Sequence, residues 1–152
     1  MGRSQPVSLE VPSIHVRTGI EKLGLDRNGE VQVPQIAAGA PAGWYDGSST
    51  PGEKGAAVIL GHVTVGKYGP GVFYRLNEMK PGQGILVRRE DGKTAKFTVT
   101  RIAEYPKRDF PAREVYEGAG RGSELRLVTC GNYDEAAHDY KDNVVVYATL
   151  TG

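Results

Sequence analysis

Ala57-Val58-Ile59-Leu60-Gly61-His62 and Glu124-Leu125-Arg126-Leu127-Val128-Thr129-Cys130 are the stretches on which the reading of this chain turns. The first is a short, continuous apolar run, the pattern of a strand buried on both faces, and it stops at a histidine. The second alternates, so Leu125 and Leu127 go to one face and Arg126, Val128 and Cys130 to the other. Each is followed at once by residues that cannot continue a strand. Val63–Gly71 holds three glycines and a proline without periodicity, and Gly131-Asn132 is a turn pair. Two chemically capable side chains therefore stand at strand ends, where a rigid scaffold and solvent access coincide.

Outward from these two runs the chain reads as more strands and turns. Val7–Val11 and then Ile14-His15-Val16 are strand-like, with Pro12 marking an edge or a bend. Further short strands are expected at Ile20–Leu25 and Val31–Val33, whereas Ala37–Ala42 gives only a weak loop or helical-turn signal. Trp44-Tyr45 precedes a cluster of turn formers, Asp46–Gly52, which predicts a surface loop. Beyond the His62 loop a helical turn is expected over Phe73–Met79. Ile85–Val87 and Ala95–Tyr105 flank Asp91-Gly92 and predict a β-hairpin. Phe110–Tyr116 allows a brief helical turn between prolines, and Asn143–Thr149 supplies a last strand. Eight or so short strands at fairly even spacing predict an all-β fold, a closed or nearly closed barrel with short helices or 3-10 turns in its loops.

The chain has 152 residues, enough for one domain of the usual size. Twenty-one glycines and nine prolines suit strands joined by many turns rather than long helices. Lys and Arg number 19 against 18 Asp and Glu, so no basic field exists to displace counterions from a nucleic acid. The single cysteine cannot close an internal disulfide and stands in no metal-ligand spacing, so neither a disulfide framework nor a structural metal is expected. No run of about 18 apolar residues crosses a bilayer, and the chain is expected to be soluble. Met1–Pro6 is expected to be a disordered lead-in, its start left by removal of an upstream segment, with one catalytic domain over residues 7–152.

A thiol with an ordinary pKa of about 8.5 is mostly protonated at neutral pH and needs a base or a cation beside it to act as a nucleophile. Histidine supplies either. Of the three histidines, His15 falls in an early strand and His138 in a polar segment, while His62 stands at a strand-to-loop exit on the side of Val58 and Leu60. The plainer alternative stays open: a free cysteine is often inert packing, and a lone histidine is often structural.

Leu127-Val128-Thr129-Cys130 resembles the signature of the sortase family, an apolar strand ending in Thr-Cys, and Leu60-Gly61-His62 resembles its histidine motif. The interval of 68 residues (130 − 62) also fits. Ala42-Gly43-Trp44-Tyr45, Pro51-Gly52-Glu53, Val72–Leu76, Phe110-Pro111 and Asp142–Ala148 are similar to the actinobacterial class called F, so the resemblance runs from about Val7 to Thr149. It implies a sortase barrel whose groove lies between the histidine loop and the two last strands. It also implies cleavage of an LPXTG-type sorting motif between Thr and Gly, through a thioacyl enzyme resolved by an amine of a peptidoglycan precursor or a pilin lysine. Neither metal nor organic cofactor enters that chemistry. The setting implied is the outer face of a Gram-positive cell membrane, with an N-terminal anchor outside this chain.

On that resemblance Cys130 is the nucleophile and His62 the proton-transfer group. The family places an arginine at the start of the final strand. Here that register falls on Asn143, with Lys141 and the more distant Arg75 as the other candidates. An Asn amide can donate to an oxyanion but carries no charge, and Lys141 lacks the fork of arginine. Thr129 and Tyr45 are the candidates for substrate contact. Parity turns the Thr129 hydroxyl away from the thiol toward a local hydrogen bond, leaving its backbone for the oxyanion site. Trp44 and Tyr45 either line substrate or close one barrel end, and closure is favoured. Two other readings compete. An L,D-transpeptidase would need a Gly-Cys-Ile/Val-Arg context that is missing here, and a non-enzymatic barrel would bind wall glycans or peptides through Trp44, Tyr45 and Tyr68.

Overall fold

The computed structural model describes residues 1–25, 27, 40–63, 71–105, 115, 122–130, 133–134, 139–140 and 143–151. Its strands are β1 (Pro6–Val11), β2 (Val16–Leu23), β3 (Ala42–Tyr45), β4 (Gly55–His62), β5 (Gly84–Arg89), β6 (Thr94–Tyr105), β7 (Ser123–Cys130), β8 (Tyr133–Asp134), β9 (Asp139–Tyr140) and β10 (Asn143–Leu150). Eight of them close a barrel in the order β1-β2-β3-β4-β7-β10-β6-β5, and β8 with β9 forms a separate two-stranded ribbon. The all-β barrel expected from the spacing of apolar runs is the fold observed. Closure leaves the eight strands no free edge.

The predicted hairpin is present. β5 pairs with β6 from Gly84↔Thr98 to Arg88↔Thr94, and the Asp91 carboxylate accepts the Lys93 amide at 2.9 Å across the turn. That bond and the neighbouring Arg89 guanidinium hold the Asp91 carboxyl below its ordinary range, the amide bond being the larger cause.

Three expectations change. Ile14-His15-Val16 is not a strand: Pro12–Ile14 is a 3-10 turn, His15 takes a left-handed conformation (φ 56, ψ 35) that ends it, and β2 starts at Val16. Pro12 has no amide hydrogen for a ladder, and its fixed φ suits the first turn of a helix. The strand expected at Ile20–Leu25 is the second half of β2, which stops at Leu23. Trp44-Tyr45 does not merely lead into a loop but belongs to β3, parallel to β2 from Ile20↔Ala42 to Leu23↔Tyr45. The turn over Phe73–Met79 holds, with 3-10 geometry over Leu76–Glu78. Val31–Val33 lies outside the described residues, as does all of Phe110–Tyr116 except Val115.

The barrel is filled by Leu9, Val11, Trp44, Ile59, Phe97, Leu125, Leu127 and Val146 among others, all buried. A second apolar cluster covers the outside of one wall: Leu23, Val58, Leu60, Val115, Val128, Val145 and Tyr147. That is why β4 reads as an unbroken apolar run. Ala57 and Ile59 face the interior while Val58 and Leu60 face this outer cluster, each large side chain contributing about 1.5–3 kcal/mol by burial. The first residues also touch the barrel. Arg89, buried, donates to Gly2 O at 2.6 Å and Pro51 O at 3.2 Å, and Arg3 pairs with Glu53 at 3.2 Å.

Candidate active site

β4 and β7 are parallel neighbours in register from Gly55↔Ser123 to His62↔Cys130. A sequence interval of 68 residues (130 − 62) is thereby reduced to one interstrand step of about 4.8 Å. On the other side of β7, the antiparallel β10 pairs Val145↔Val128 and Tyr147↔Arg126. Asn143, half-buried, starts β10, two residues before Val145, and Cys130 ends β7, two residues after Val128. Asn143 in turn pairs with Tyr105 of β6. The backbone thus pairs 62 with 130 and 143 with 105, and position 143 stands two residues beyond the last β7–β10 pair, at the same end of the barrel.

The motif around His62 has a local cause. A Cβ at Gly61 would lie 2.6 Å and 2.8 Å from Phe73 ring carbons and 2.8 Å from Val72 Cγ1, so the ring of Phe73 occupies the space a side chain would need. Phe73 is itself wholly buried and its amide donates to His62 O at 2.9 Å. Gly71 donates to Val63 O at 2.7 Å, and a Cβ there would strike the His62 carbonyl. Two backbone bonds and two side-chain-free contacts clamp the end of β4. His62 is 2 % exposed, a largely water-excluded setting in which hydrogen bonds are strengthened.

Thr129 is 1 % exposed, and its Oγ1 accepts the Val144 amide hydrogen at 2.8 Å, the local bond that parity anticipates. Arg75 is drawn elsewhere: its guanidinium donates twice to Glu78, at 3.0 and 3.1 Å, and stands in water. That pairing raises the arginine's pKa and lowers that of Glu78, in both cases chiefly through the hydrogen bond. Lys141, His138 and Tyr68 lie outside the described residues. His15 ends the 3-10 turn after β1.

Tyr45 is half-buried and packs against the outer cluster beside Leu23 and Val58, the ring lying over Gly47. Counted along β4 it belongs with Val58, four residues or about 13 Å from His62. Trp44 is 2 % exposed, faces the barrel interior and donates its indole N–H to Ser49 O at 3.0 Å. Its ring is therefore unavailable to a glycan, which removes the main anchor of the binding-module reading.

The outer wall below these positions was anticipated only at β4, whose apolar run reads as buried on both faces. Leu60, Val128 and Val145 form an apolar row, and Val58, Arg126 and Tyr147 a second. Arg126 is buried, donates to Glu124 at 2.7 Å and lies 4.6 Å from the Tyr147 ring centre, with Arg101 3.7 Å from that ring. The Tyr105 and Tyr147 hydroxyls meet at 2.7 Å. Alternation along Val144–Tyr147 is erased because both faces are buried, so the signal for an outer cluster was the missing polar face. A shallow polar groove between Arg17 and Arg88 lies over β1, β2 and β5, on the opposite wall, and includes none of positions 62, 105, 130 and 143.

A family profile described as Sortase domain matches residues 9–151. Among curated proteins no significant match exists. Among solved structures the chain is similar to sortase A from Corynebacterium diphtheriae, with 21 % identity, a TM-score of 0.70, and coverage of 99 % of this chain and 62 % of that one. It is similar to sortase C-1 from Actinomyces oris at 23 % identity and TM-score 0.70, covering 96 % and 73 % of the two chains. Sortase C2 of Group B Streptococcus Pilus Island 1 gives 21 % identity and TM-score 0.70, with 100 % and 77 % coverage. The chain therefore spans less than two thirds of the length of the corynebacterial protein.

Proposed function

The chain belongs to the sortase family, and from that premise we propose that it is a cysteine transpeptidase using Cys130 and His62 to cut an LPXTG-type sorting motif between Thr and Gly. The observation that carries the reading is the His62↔Cys130 pairing. Paired positions of neighbouring strands belong to one face of the sheet, which supports a site shared by residues 62 and 130.

In this mechanism the Cys130 thiolate attacks the Thr carbonyl, forming a C–S bond and a tetrahedral oxyanion. Its proton resides on His62. The Asn143 amide, at the start of the neighbouring strand β10, donates to the oxyanion. Collapse breaks the C–N bond, and His62 protonates the departing glycine amine. The thioacyl enzyme is then attacked by an amine, which yields a proton to His62 as the new amide forms and the C–S bond breaks. Atoms balance without an oxidant, metal or cofactor.

The similarity of Ala42–Tyr45, Pro51–Glu53, Val72–Leu76 and Asp142–Ala148 to class F supports assigning the enzyme to that class. Its partners are the sorting signals of surface proteins and an amine acceptor, either a peptidoglycan precursor or a pilin lysine, at the outer face of a Gram-positive membrane. Among the described residues no helix is long and apolar enough to cross a membrane. An N-terminal anchor belongs to the proposed setting. Residues 7–152 form the catalytic domain. The test is a peptide-library cleavage assay with added amine, read by mass spectrometry. Wild type gives Thr-Gly scission and an amine adduct, Cys130→Ala and His62→Ala give neither, and scission at another bond overturns the motif.

A further inference from the structure

We propose that Thr129 is a positioning residue whose hydroxyl, by binding the Val144 amide, fixes the start of β10 and so sets where Asn143 stands relative to Cys130. This rests on the roles given to those two residues above. The regular β7–β10 pairing stops at Val145↔Val128. One residue further, the Val144 amide is taken at 2.8 Å by the Thr129 side-chain oxygen. Thr129 precedes Cys130 and Val144 follows Asn143, so a single hydrogen bond joins the neighbour of each reacting position.

A hydroxyl on Cβ reaches into the gap from a different point than a main-chain carbonyl. Using it as acceptor gives the two strand ends a separation of their own, set by one rotamer. The threonine is held in that rotamer because it is β-branched and 1 % exposed. Its parity assigns it to the interior side of β7, with Leu125 and Leu127, so it acts through Asn143 without touching substrate. A misplacement of about 1 Å at a reacting group lowers rate by about 10²-fold, which is the scale of effect such a strut controls.

The experiment compares Thr129→Val, which keeps shape and removes the acceptor, with Thr129→Ser, which keeps the acceptor. Steady-state peptide cleavage should show kcat falling by about 10- to 100-fold in the valine variant with KM little changed, and serine recovering most of the loss. Amide hydrogen exchange at Val144 should speed up in the valine variant while the amides of Leu125 and Leu127 keep their protection. In an Asn143→Ala background the valine change should add almost nothing, because both act on one group. Losses that multiply, a rise in KM alone, or serine failing as valine does would overturn the inference while leaving Cys130 and His62 in place. A wild-type protein that never cleaves peptide would instead sink the reading on which it rests.

Discussion

Gly61→Ala tests how the end of β4 is built. The added methyl would sit 2.6–2.8 Å from Phe73 and Val72 carbons, against about 3.5–4.0 Å for an unstrained carbon contact. The overlap is near 1 Å, and the ring cannot swing into solvent because Phe73 is fully buried and tied by its amide to His62 O. Overpacking of this kind destabilises by about 1–3 kcal/mol, and at about 2–4 °C per kcal/mol for a domain of this size the melting temperature should drop by roughly 2–12 °C. Because the Phe73 amide that carries the pushed ring donates to His62 O, activity should fall further than stability at temperatures where the variant is fully folded. Calorimetry together with peptide cleavage at 20 °C measures both. A variant melting with wild type and cleaving at the wild-type rate would refute the claim that Phe73 braces the histidine.

Two other perturbations bear on the site and the barrel. Asn143→Ala should reduce kcat by about 10²-fold, the usual loss for one oxyanion donor, and more than Lys141→Ala does; the reverse order in a kinetic comparison would show that the family's arginine register does not fall on Asn143. Asp91 has a folded pKa below its unfolded value of about 3.9. Its stabilising contribution is therefore present above that value and is lost as pH falls through the lower folded pKa. Asp91→Asn should thus lower the melting temperature at pH 6 and converge with wild type in strong acid, which melts across a pH series will reveal.

Much of this was readable from the residues because the barrel obeys simple alternation. Leu125 and Leu127 go to the core, and Val58 and Leu60 go with His62 to the other face of β4, as parity requires. What one strand's pattern lacks is the identity of its neighbour. The parallel pairing of β4 with β7 arises from a long crossover, and no local signal encodes it. β3 was missed since Ala42 and Gly43 have no strand propensity of their own; Gly43 is there because the Leu23 side chain fills the space of its Cβ. His15 looked like a strand residue because nothing in Ile14-His15-Val16 announces a left-handed turn. Buried Arg126 reads as a surface charge until Glu124 and the Tyr147 ring are seen around it.

Covalent trapping addresses the central claim most directly. Wild-type protein mixed with an LPXTG-type peptide and no amine acceptor, quenched in acid and digested, should carry the acyl half of the peptide as a thioester on the fragment containing Cys130, and added amine should discharge it. An unmodified Cys130 in protein that is cleaving peptide, or undiminished cleavage by Cys130→Ala, would contradict it.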